Sequence, residues 1–294
     1  MSKLDPRKMA LQIAGLRANE THLTEDERVF QDPYAEYFFD DNIRELFQDP
    51  ARVKSELAKY EEMMPGVNGA IVARIKFIDE YLIRCISEGL EQLVIIGAGY
   101  DTRAYRLEKV KENVTVFEVD HPVTQEVKRD KIKQIFGELP GHVIYTPVVF
   151  GEDRLDQKLF EKGYRPKKTN LFILEGLLMY IPPPAVDGLL AFIAKTSGSG
   201  SSFVADYFST PVVDGRSPLK EARVLRQFVQ NEGSSLFFGI DEEDIEKFFT
   251  KRGFEQVESI STAECKEKYF SNASRERKVS SMFNFVCAHV ADKG

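Results

Sequence analysis

The chain has 294 residues, of which 43% are hydrophobic and 30% are charged, and this is enough for one large α/β domain or two smaller ones. A formal net charge of −7 argues against nucleic acid as a main partner, because binding phosphates requires a basic face. The sequence has no apolar run of about 18 residues, so we expect no membrane span. Its first eight residues also lack the apolar core of a signal peptide.

The cysteines and histidines argue against a metal site. The cysteines are scattered at Cys85, Cys265 and Cys287, and the four histidines are isolated from one another. Neither set has the spacing of a metal site or of a disulfide framework. We therefore expect no metal ion and a reducing, cytoplasmic location.

Residues 1–89 are predicted to be helical and to form an N-terminal cap and lid. Asp32-Pro33 and Pro65-Gly66 interrupt this region. A helix is predicted from about Gly69 to Glu88, where apolar residues recur every three or four positions and form one buried face. These apolar residues are Ile71, Ile75, Ile78, Leu82 and Ile86.

From residue 92 onward, predicted strands alternate with predicted helices. The strands lie near 92–97, 113–119, 142–149, 170–175, 201–207, 254–260 and 282–290. The helices lie near 122–136, 154–162, 184–196, 219–230 and 241–252. Seven strands with intervening helices predict a doubly wound α/β sheet. The polar segment 261–281 is interpreted either as a mobile flap or as a surface excursion.

The first strand predicts a ligand site. Four apolar residues, Leu93 to Ile96, run directly into Gly97-Ala98-Gly99. Glycines at the carboxyl end of a buried parallel strand let the backbone turn tightly beside a ligand. The next strand, Val114 to Asp120, ends in an acid roughly 20 residues further on, where a ribose hydroxyl pair would be bound. The two strands together predict a nucleoside-cofactor site.

The residues after the glycine turn indicate which cofactor binds. A dinucleotide-binding turn would have a third glycine three residues after Gly99, but position 102 is threonine. Asp101 would repel a pyrophosphate at a helix N-terminus and would attract a cation. The turn therefore favours S-adenosylmethionine, which carries an ammonium and a sulfonium but no phosphate, over a nicotinamide dinucleotide.

The segment 95–107, IIGAGYDTRAYRL, closely resembles the first motif of the leucine carboxyl methyltransferase-like family. This family is a branch of the S-adenosylmethionine-dependent methyltransferases that includes small-molecule O-methyltransferases of bacterial polyketide pathways. Further segments resemble the family's other motifs in the same order: IAGLRANETHL, FQDPYAEYFF, NGAIVARIKFID, FEVDHP and LFILEGLLMYIPP. The resemblance implies a class I methyltransferase-like sheet of seven strands, the last of them antiparallel. Residues 90–294 would form this domain, with a substrate-side insertion at about 208–240.

The resemblance also implies a set of cofactor-binding residues. Arg74 matches the arginine that holds the cofactor carboxylate, a task that suits the two-pronged guanidinium. The turn Gly97-Ala98-Gly99 would lie beside the methionyl part. Asp101 is interpreted as a partner of the ammonium, as a helix N-cap, or as both. Glu175 is expected at the cofactor as well, because a carboxylate at the end of a buried strand needs a partner.

Two residues of the second strand are candidates for the ribose. Asp120 matches the family's ribose-binding acid. Glu118 lies two residues earlier, on the same side of the strand, and is the alternative. Alternation along the strand admits both, whereas the resemblance favours Asp120.

The chain departs from the family after the third strand. The family has Asp-Leu there, and its acid addresses the adenine amino group, whereas this chain has Val149-Phe150. Glu152 or Asp153 would supply the contact if the loop is shifted. Otherwise the adenine rests on apolar contact with Phe150 and on backbone groups.

The methyl acceptor is expected beside Tyr180 and the pair Asp206-Tyr207. Tyr180 and Tyr207 are the candidate catalytic residues, although tyrosines at strand ends also commonly cap a core. The cluster Arg275 to Lys278 would attract an anionic substrate, or it is a solvated charge run.

No histidine paired with an acid is visible as a general base, which favours a nucleophile that is ionised already. We therefore predict an O-methyltransferase acting on a carboxylate or acidic hydroxyl of a small molecule. A protein C-terminal carboxyl methyltransferase and a non-catalytic S-adenosylmethionine-binding protein are the alternatives. No oligomeric state is predicted.

Overall fold

The computed structural model describes residues 6–292, apart from the side chains of Pro6 and Asn272. Residues 1–5 of the predicted cap and residues 293–294 of the predicted domain lie outside this part of the chain. The helices are α1 (Pro6–His22), α2 (Asp41–Phe47), α3 (Pro50–Met63), α4 (Val67–Ser87), α5 (Arg103–Arg106), α6 (Glu108–Asn113), α7 (Pro122–Phe136), α8 (Leu155–Glu161), α9 (Pro183–Thr196), α10 (Thr210–Asp214), α11 (Lys220–Asn231), α12 (Ile245–Thr250) and α13 (Thr262–Tyr269). The strands are β1 (Gln92–Ile96), β2 (Thr115–Asp120), β3 (Val143–Pro147), β4 (Asn170–Leu174), β5 (Ser202–Tyr207), β6 (Phe254–Ser261) and β7 (Asn284–Val290). Short 3-10 helices span Ala35–Phe38, Leu178–Tyr180, Glu242–Asp244 and Asn272–Glu276.

The seven strands form one sheet in the order β3-β2-β1-β4-β5-β7-β6. Strands β1 to β5 run parallel, and β7 is antiparallel to both β5 and β6. The prediction of a seven-stranded sheet with an antiparallel last strand is thus confirmed. All residues of β1, β4 and β5 are buried, as expected for strands covered on both faces.

The faces of β1 contribute to two separate hydrophobic cores. Leu93 and Ile95 belong to the core that contains α4, whereas Val94 and Ile96 belong to the core that contains α9. Because β1 pairs with β2 and β4 in parallel, the carboxyl ends of these strands lie at one edge of the sheet. That edge positions the candidate site.

Helix α4 covers most of the predicted range 69–88, and four residues of its predicted apolar face, Ile71, Ile75, Ile78 and Leu82, are buried. The helix begins after Gly66, which has a φ of 71°. It packs in the same hydrophobic core as β1, so the cap and the sheet are joined through α4. The boundary at residue 89 stays a prediction.

The segment 261–281 contains α13, which the sequence analysis did not predict. A capping box between Ser261 and Glu264 begins this helix. The backbone N–H of Ser280 donates to the carbonyl of Gly66 at 2.8 Å, and Thr262 Oγ1 donates to the Ser280 carbonyl at 2.8 Å. These bonds join the two ends of the segment to each other and to Gly66, the N-cap of α4, and they favour the interpretation as a surface excursion.

Within residues 6–292, no helix is both long enough and apolar enough to span a bilayer.

Candidate cofactor and substrate site

A cavity of about 1920 Å³ opens at the carboxyl edge of the parallel strands. Predicted site residues that line it are Arg74, Gly97, Gly99, Asp101, Asp120, Phe150, Glu175 and Tyr180. Three other predicted residues, Ala98, Glu118 and Tyr207, do not line it. The structure therefore brings together residues that are far apart in the sequence, from Arg74 on α4 to Tyr180 after β4.

The glycine turn after β1 is held against β2. Gly97 and Gly99 have φ values of 76° and 44°, a region that favours glycine. The N–H groups of Gly97 and Ala98 donate to the Val119 carbonyl at 2.9 and 3.0 Å. The Asp120 carboxylate accepts the N–H of Gly99 and, at 2.6 Å, that of His121. Asp120 is thereby fixed at the end of β2, facing the cavity.

Arg74 lies between two carboxylates. Its Nε donates to Glu175 Oε1 at 2.9 Å, and its Nη1 donates to Asp206 Oδ2 at 2.7 Å. Asp206 also accepts the N–H of Gly176 at 2.5 Å. These bonds place the guanidinium at the ends of β4 and β5, in the cavity; that it holds a cofactor carboxylate, as the resemblance implies, stays a prediction.

Arg103 is a site residue that the sequence analysis missed. Its side chain is 3% exposed. Its Nε donates to Asp79 at 2.7 Å, and its Nη1 bonds to Glu175 at 2.6 Å and to Asp101. The sequence feature that could have identified Arg103 is its position two residues after Asp101, at the start of a short helix. Asp79 and Glu175 are remote in sequence, so the cluster itself was not predictable.

Asp101 lies one residue before Thr102, the N-cap of α5, and its carboxylate bonds to the first residue of that helix, which partly matches the N-cap interpretation. Its Oδ1 accepts the N–H of Arg103 at 2.7 Å at the beginning of α5. Burial acts to raise the pKa of Asp101, but the charges of Arg103 and Lys128 outweigh burial and lower it to about 2. The carboxylate is therefore ionised and lines the cavity, where it is available to a cation.

The ion-pair cluster around Arg74 and Arg103 contains more carboxylates than arginines. Arg74, Arg103 and Arg106 are bonded to four carboxylates, which belong to Asp79, Asp101, Glu175 and Asp206. With all groups ionised, three positive and four negative charges leave the cluster one unit negative. S-adenosylmethionine carries one net positive charge, so the donor set fits this cofactor.

Arg17 is a second residue that the sequence analysis missed. It lines the cavity and bonds to Asp32 at 2.7 Å, to Thr102 Oγ1 at 3.0 Å and to the Tyr100 carbonyl at 2.5 Å. These bonds join α1 to the glycine turn. On the same helix, Ala10 lies so near the turn that a Cβ placed on Gly99 would come within 3.3 Å of its Cβ. Helix α1 therefore covers this part of the cavity.

Glu118 lies inside the protein rather than in the cavity. It is fully buried and forms an ion pair with Lys128 at 2.8 Å. Of the two candidates for the ribose, only Asp120 lines the cavity. Burial raises the pKa of Glu118 to about 7, although Lys128 acts to lower it.

This raised pKa predicts a pH dependence of stability. Between about pH 4.5 and pH 7 the folded state binds the Glu118 proton and the unfolded state does not, so stability falls as the pH rises. Across that window the free energy of unfolding of the wild type should fall by on the order of 3 kcal/mol, and Glu118→Gln should not show this decrease. Urea unfolding at pH 5 and pH 7.5 measures the decrease in each protein. Glu126→Gln, an exposed change on α7, is the control, and an identical pH dependence in wild type and Glu118→Gln would contradict this assignment.

The loop after β3 does not supply a replacement acid. Asp153 accepts the N–H of Val149 at 2.8 Å and pairs with Lys158 at 3.3 Å, so it closes its own turn. Neither Glu152 nor Asp153 lines the cavity, whereas Val149 and Phe150 do. Phe150 is 41% exposed there. This placement favours the second interpretation, apolar contact of adenine with Phe150, although Asp156 in the first turn of α8 is an acid that does line the cavity.

We predict that Phe150→Ala weakens S-adenosylmethionine binding by about 5- to 100-fold, because stacking of a base on an aromatic ring contributes about 1–3 kcal/mol. Calorimetric titration measures the change in Kd. Tyr37→Ala removes an exposed aromatic ring that does not line the cavity and is the matched control. Equal Kd values for Phe150→Ala and wild type would show that adenine does not rest on this ring.

The two candidate catalytic tyrosines lie on opposite sides of the sheet. Tyr180 lines the cavity, and burial together with the charge of Asp206 raises the pKa of its phenol. Tyr207 is 1% exposed, belongs to the other hydrophobic core, and bonds to Ser259 Oγ at 2.8 Å. Its neighbour Asp206 faces the cavity, and adjacent strand residues point to opposite faces. The placement of Tyr207 thus corrects the expectation that it meets the substrate.

The basic cluster Arg275 to Lys278 does not line the cavity. Arg277 forms a two-pronged ion pair with the buried Glu20 at 2.9 and 2.7 Å. Arg275 and Glu267 form an exposed pair at 3.7 Å. Arg277 therefore fixes the cluster to α1, and Arg275 is exposed to solvent. The position of the cluster does not support the expectation that it attracts an anionic substrate into the cavity.

Solved structures share this fold. A DUF574 family protein of Streptomyces avermitilis superposes with a TM-score of 0.59 and 12% identity, covering 94% of this chain and 96% of that one. A "putative methyltransferase" of Thermobifida fusca superposes with a TM-score of 0.57 and 13% identity, covering 82% and 89%. Such identities show the fold alone. The fold is that of the class I methyltransferases, and the donor set of the cavity fits S-adenosylmethionine.

Residues 10–194 match the leucine carboxyl methyltransferase family model, and the chain belongs to this family. A "Putative S-adenosyl-L-methionine-dependent methyltransferase" of Mycobacterium sp. (strain MCS) is 34% identical over 209 residues, which cover 70% of this chain and 81% of the relative. "Putative S-adenosyl-L-methionine-dependent methyltransferase YktD" of Bacillus subtilis (strain 168) is 26% identical over 236 residues, which cover 80% and 76%. S-adenosylmethionine is accordingly the cofactor of this protein.

Proposed function

We propose that the protein methylates an oxygen of a small molecule, either a carboxylate or an acidic hydroxyl. The observation that carries this proposal is the side chain of Tyr180. Tyr180 lines the cavity, and its phenol is protonated at neutral pH, as an unshifted tyrosine also would be; burial raises its pKa further. A protonated phenol donates a hydrogen bond to an acceptor oxygen but does not take a proton from it. This arrangement suits an acceptor that arrives ionised.

The carboxylate beside Tyr180, that of Asp206, already accepts bonds from Arg74 Nη1 and from the N–H of Gly176, which makes it a poor general base. His121 lines the cavity, but it lies next to Asp120, and its Nδ1 accepts the N–H of Val123 at 3.4 Å at the beginning of α7. An ionised carboxylate or acidic phenol needs no base, whereas an ordinary alcohol would benefit from one. The lining therefore supports an acidic acceptor.

The proposed roles of the site residues follow from their positions. S-adenosylmethionine, when bound, supplies a methyl group activated by its sulfonium. Arg74 would hold the cofactor carboxylate, Asp101 would lie near the ammonium, and Asp120 would accept hydrogen bonds from the ribose. Tyr180 would orient the acceptor oxygen. Alignment of this kind contributes on the order of 7–11 kcal/mol to catalysis.

The test is methyl transfer from labelled S-adenosylmethionine to a panel of carboxylic acids, phenols, amines and a peptide with a free C-terminal leucine. We expect methyl esters from the small acids, or ethers from the acidic phenols, and mild base distinguishes the two because it hydrolyses esters. Products formed only from amines or at carbon would overturn O-methylation. Transfer to the peptide alone would overturn a small-molecule acceptor.

We also propose a cytoplasmic location. Cys85, Cys265 and Cys287 are buried free thiols in the structure, which fits a reducing compartment. The test is to denature a cell lysate in the presence of an alkylating reagent. We expect all three thiols of the protein to be alkylated, as reduced thiols are.

A further inference from the structure

The methionines of this chain converge on one cavity. The sequence has six, and the five within the described residues all line it, namely Met9, Met63, Met64, Met179 and Met282. They come from α1, from the end of α3 and the residue after it, from the 3-10 helix after β4, and from the residues before β7. Elements so far apart in sequence meet only because the chain folds around this space.

We call the part of the cavity beside Tyr180 the acceptor chamber, and we assign four of these methionines to it from their neighbours. Met63 and Met64 follow Tyr60, which lines the cavity together with Tyr180. Met179 precedes Tyr180, and its carbonyl accepts the N–H of Phe237 at 2.8 Å. Met282 precedes Phe283, whose ring lies 5.9 Å from the Arg74 guanidinium. The chamber therefore begins where the Arg74 cluster ends.

The rest of the cavity lining is largely apolar and includes Val67, Ile71, Phe208, Val224, Leu225 and Phe228. Helix α11 and the loop after it add neutral polar groups, those of Gln227, Asn231, Ser234 and Ser235. The arginines that line the cavity are bonded to carboxylates elsewhere, as Arg17 is to Asp32 and Arg106 is to Asp79. The described lining thus offers mostly apolar surface to the body of an acceptor, with Tyr60 and Tyr180 at one polar end and a few neutral amides and hydroxyls elsewhere.

The methionine side chain has physical properties that those of leucine and phenylalanine lack. It is unbranched and has three rotatable bonds and a polarisable sulfur, so it fills space of varied shape. Surfaces rich in methionine repack around different partners and bind them with little discrimination. A chamber lined in this way is suited to ligands that share an apolar character but differ in outline.

We propose that the acceptor is a lipophilic small molecule with a single terminal oxygen nucleophile, and that the methionines allow acceptors of different shape to bind. This inference rests on the proposed O-methylation and specifies the substrate class of the same site. A second charged group on the acceptor would meet apolar and neutral polar side chains of α11 and the loop after it, so it would lose hydration without gaining an opposite charge, which is costly.

The inference is tested by binding, separately from catalysis. The neutral dye N-phenyl-1-naphthylamine reports occupation of the chamber by its fluorescence, and the chain has no tryptophan to interfere. We expect dodecanoate to displace the dye at least about tenfold more tightly than dodecanedioate does. Equal or tighter displacement by the dicarboxylate would overturn the inference. Methyl transfer to dodecanoate is measured in parallel, so that failure of transfer with the expected displacement pattern counts against the proposed function alone.

The role of the methionines is tested by the triple variant Met64→Leu, Met179→Leu, Met282→Leu. We expect it to change the ratio of the affinities for dodecanoate and a bulky ring acid of similar size by about fivefold or more. Leu190→Met, a buried change that does not line the cavity, is the control and is expected to keep the wild-type ratio. Met64→Leu alone repeats the test if the triple variant unfolds early. A wild-type ratio in a folded Met64→Leu or triple variant would overturn the role of the methionines.

Discussion

Replacing Arg74 with lysine is expected to weaken S-adenosylmethionine binding by about 10- to 100-fold while the protein stays folded. Lysine keeps the positive charge between Glu175 and Asp206, which the arginine now bonds through Nε and Nη1. It cannot keep both bonds and also hold a carboxylate of the cofactor, because an ammonium lacks the planar fork of a guanidinium. A hydrogen bond to a charged group contributes about 1.5–3 kcal/mol.

Calorimetric titration measures the Kd, and urea unfolding confirms the fold. Arg84→Lys is the control, since Arg84 lies on the same helix but does not line the cavity. Arg74→Ala is expected to lose binding altogether and to cost about 3–5 kcal/mol of unfolding free energy, because it leaves buried carboxylates without their partner. If Arg74→Lys binds S-adenosylmethionine as tightly as wild type, Arg74 does not hold the cofactor.

The second large effect is expected at Asp120. Asp120→Ala should weaken S-adenosylmethionine binding by about 100-fold, because a carboxylate that accepts two ribose hydroxyls contributes more than a single bond to a charged group. Glu118→Gln should leave the Kd within about twofold of wild type at pH 7.5, since Glu118 pairs with Lys128 and does not line the cavity.

The Asp120 comparison needs a control for the turn itself, because the carboxylate also accepts the N–H groups of Gly99 and His121. Asp120→Asn retains one acceptor oxygen, and its thermal midpoint shows whether the turn survives. We expect Asp120→Asn to fold and to bind with a Kd between those of Asp120→Ala and wild type. Loss of binding in Glu118→Gln, with wild-type binding in Asp120→Ala, would reverse the assignment.

Much of the fold was predictable because each buried strand has a local sequence pattern. The run Leu93 to Ile96 is apolar throughout, as expected for a strand covered on both faces. Helix α13 was missed because most of its residues are polar. It is stabilised by packing of the buried Cys265 and by its capping box, and only the Ser261-x-x-Glu264 pattern was visible in the sequence.

The site was predictable where its residues end strands. Gly97, Asp120 and Glu175 each follow or close a buried strand, and the parallel sheet brings such ends to one edge. The contacts that organise these residues were not predictable, since Arg103 bonds to Asp79 across 24 positions and Arg17 bonds to Asp32 across 15. Pairings of this kind depend on how the helices dock, which no local pattern specifies.

Tyr207 shows a different source of error, because the information was present in the sequence. Asp206 and Tyr207 are adjacent on β5, so only one of them can face the cavity. The buried Asp206 bonds to Arg74, and Tyr207 therefore packs into the opposite core. Strand alternation alone assigns these two residues to different faces of the sheet.

The central claim is that the cavity at the strand ends holds S-adenosylmethionine in one defined orientation. A crystal structure with S-adenosylhomocysteine tests it most directly. We predict the amino-acid carboxylate within hydrogen-bond reach of Arg74, the ribose hydroxyls on Asp120, and the adenine against Phe150. The sulfur should face the acceptor chamber and Tyr180. Ribose hydroxyls on another acid, or a carboxylate that does not contact Arg74, would contradict the account.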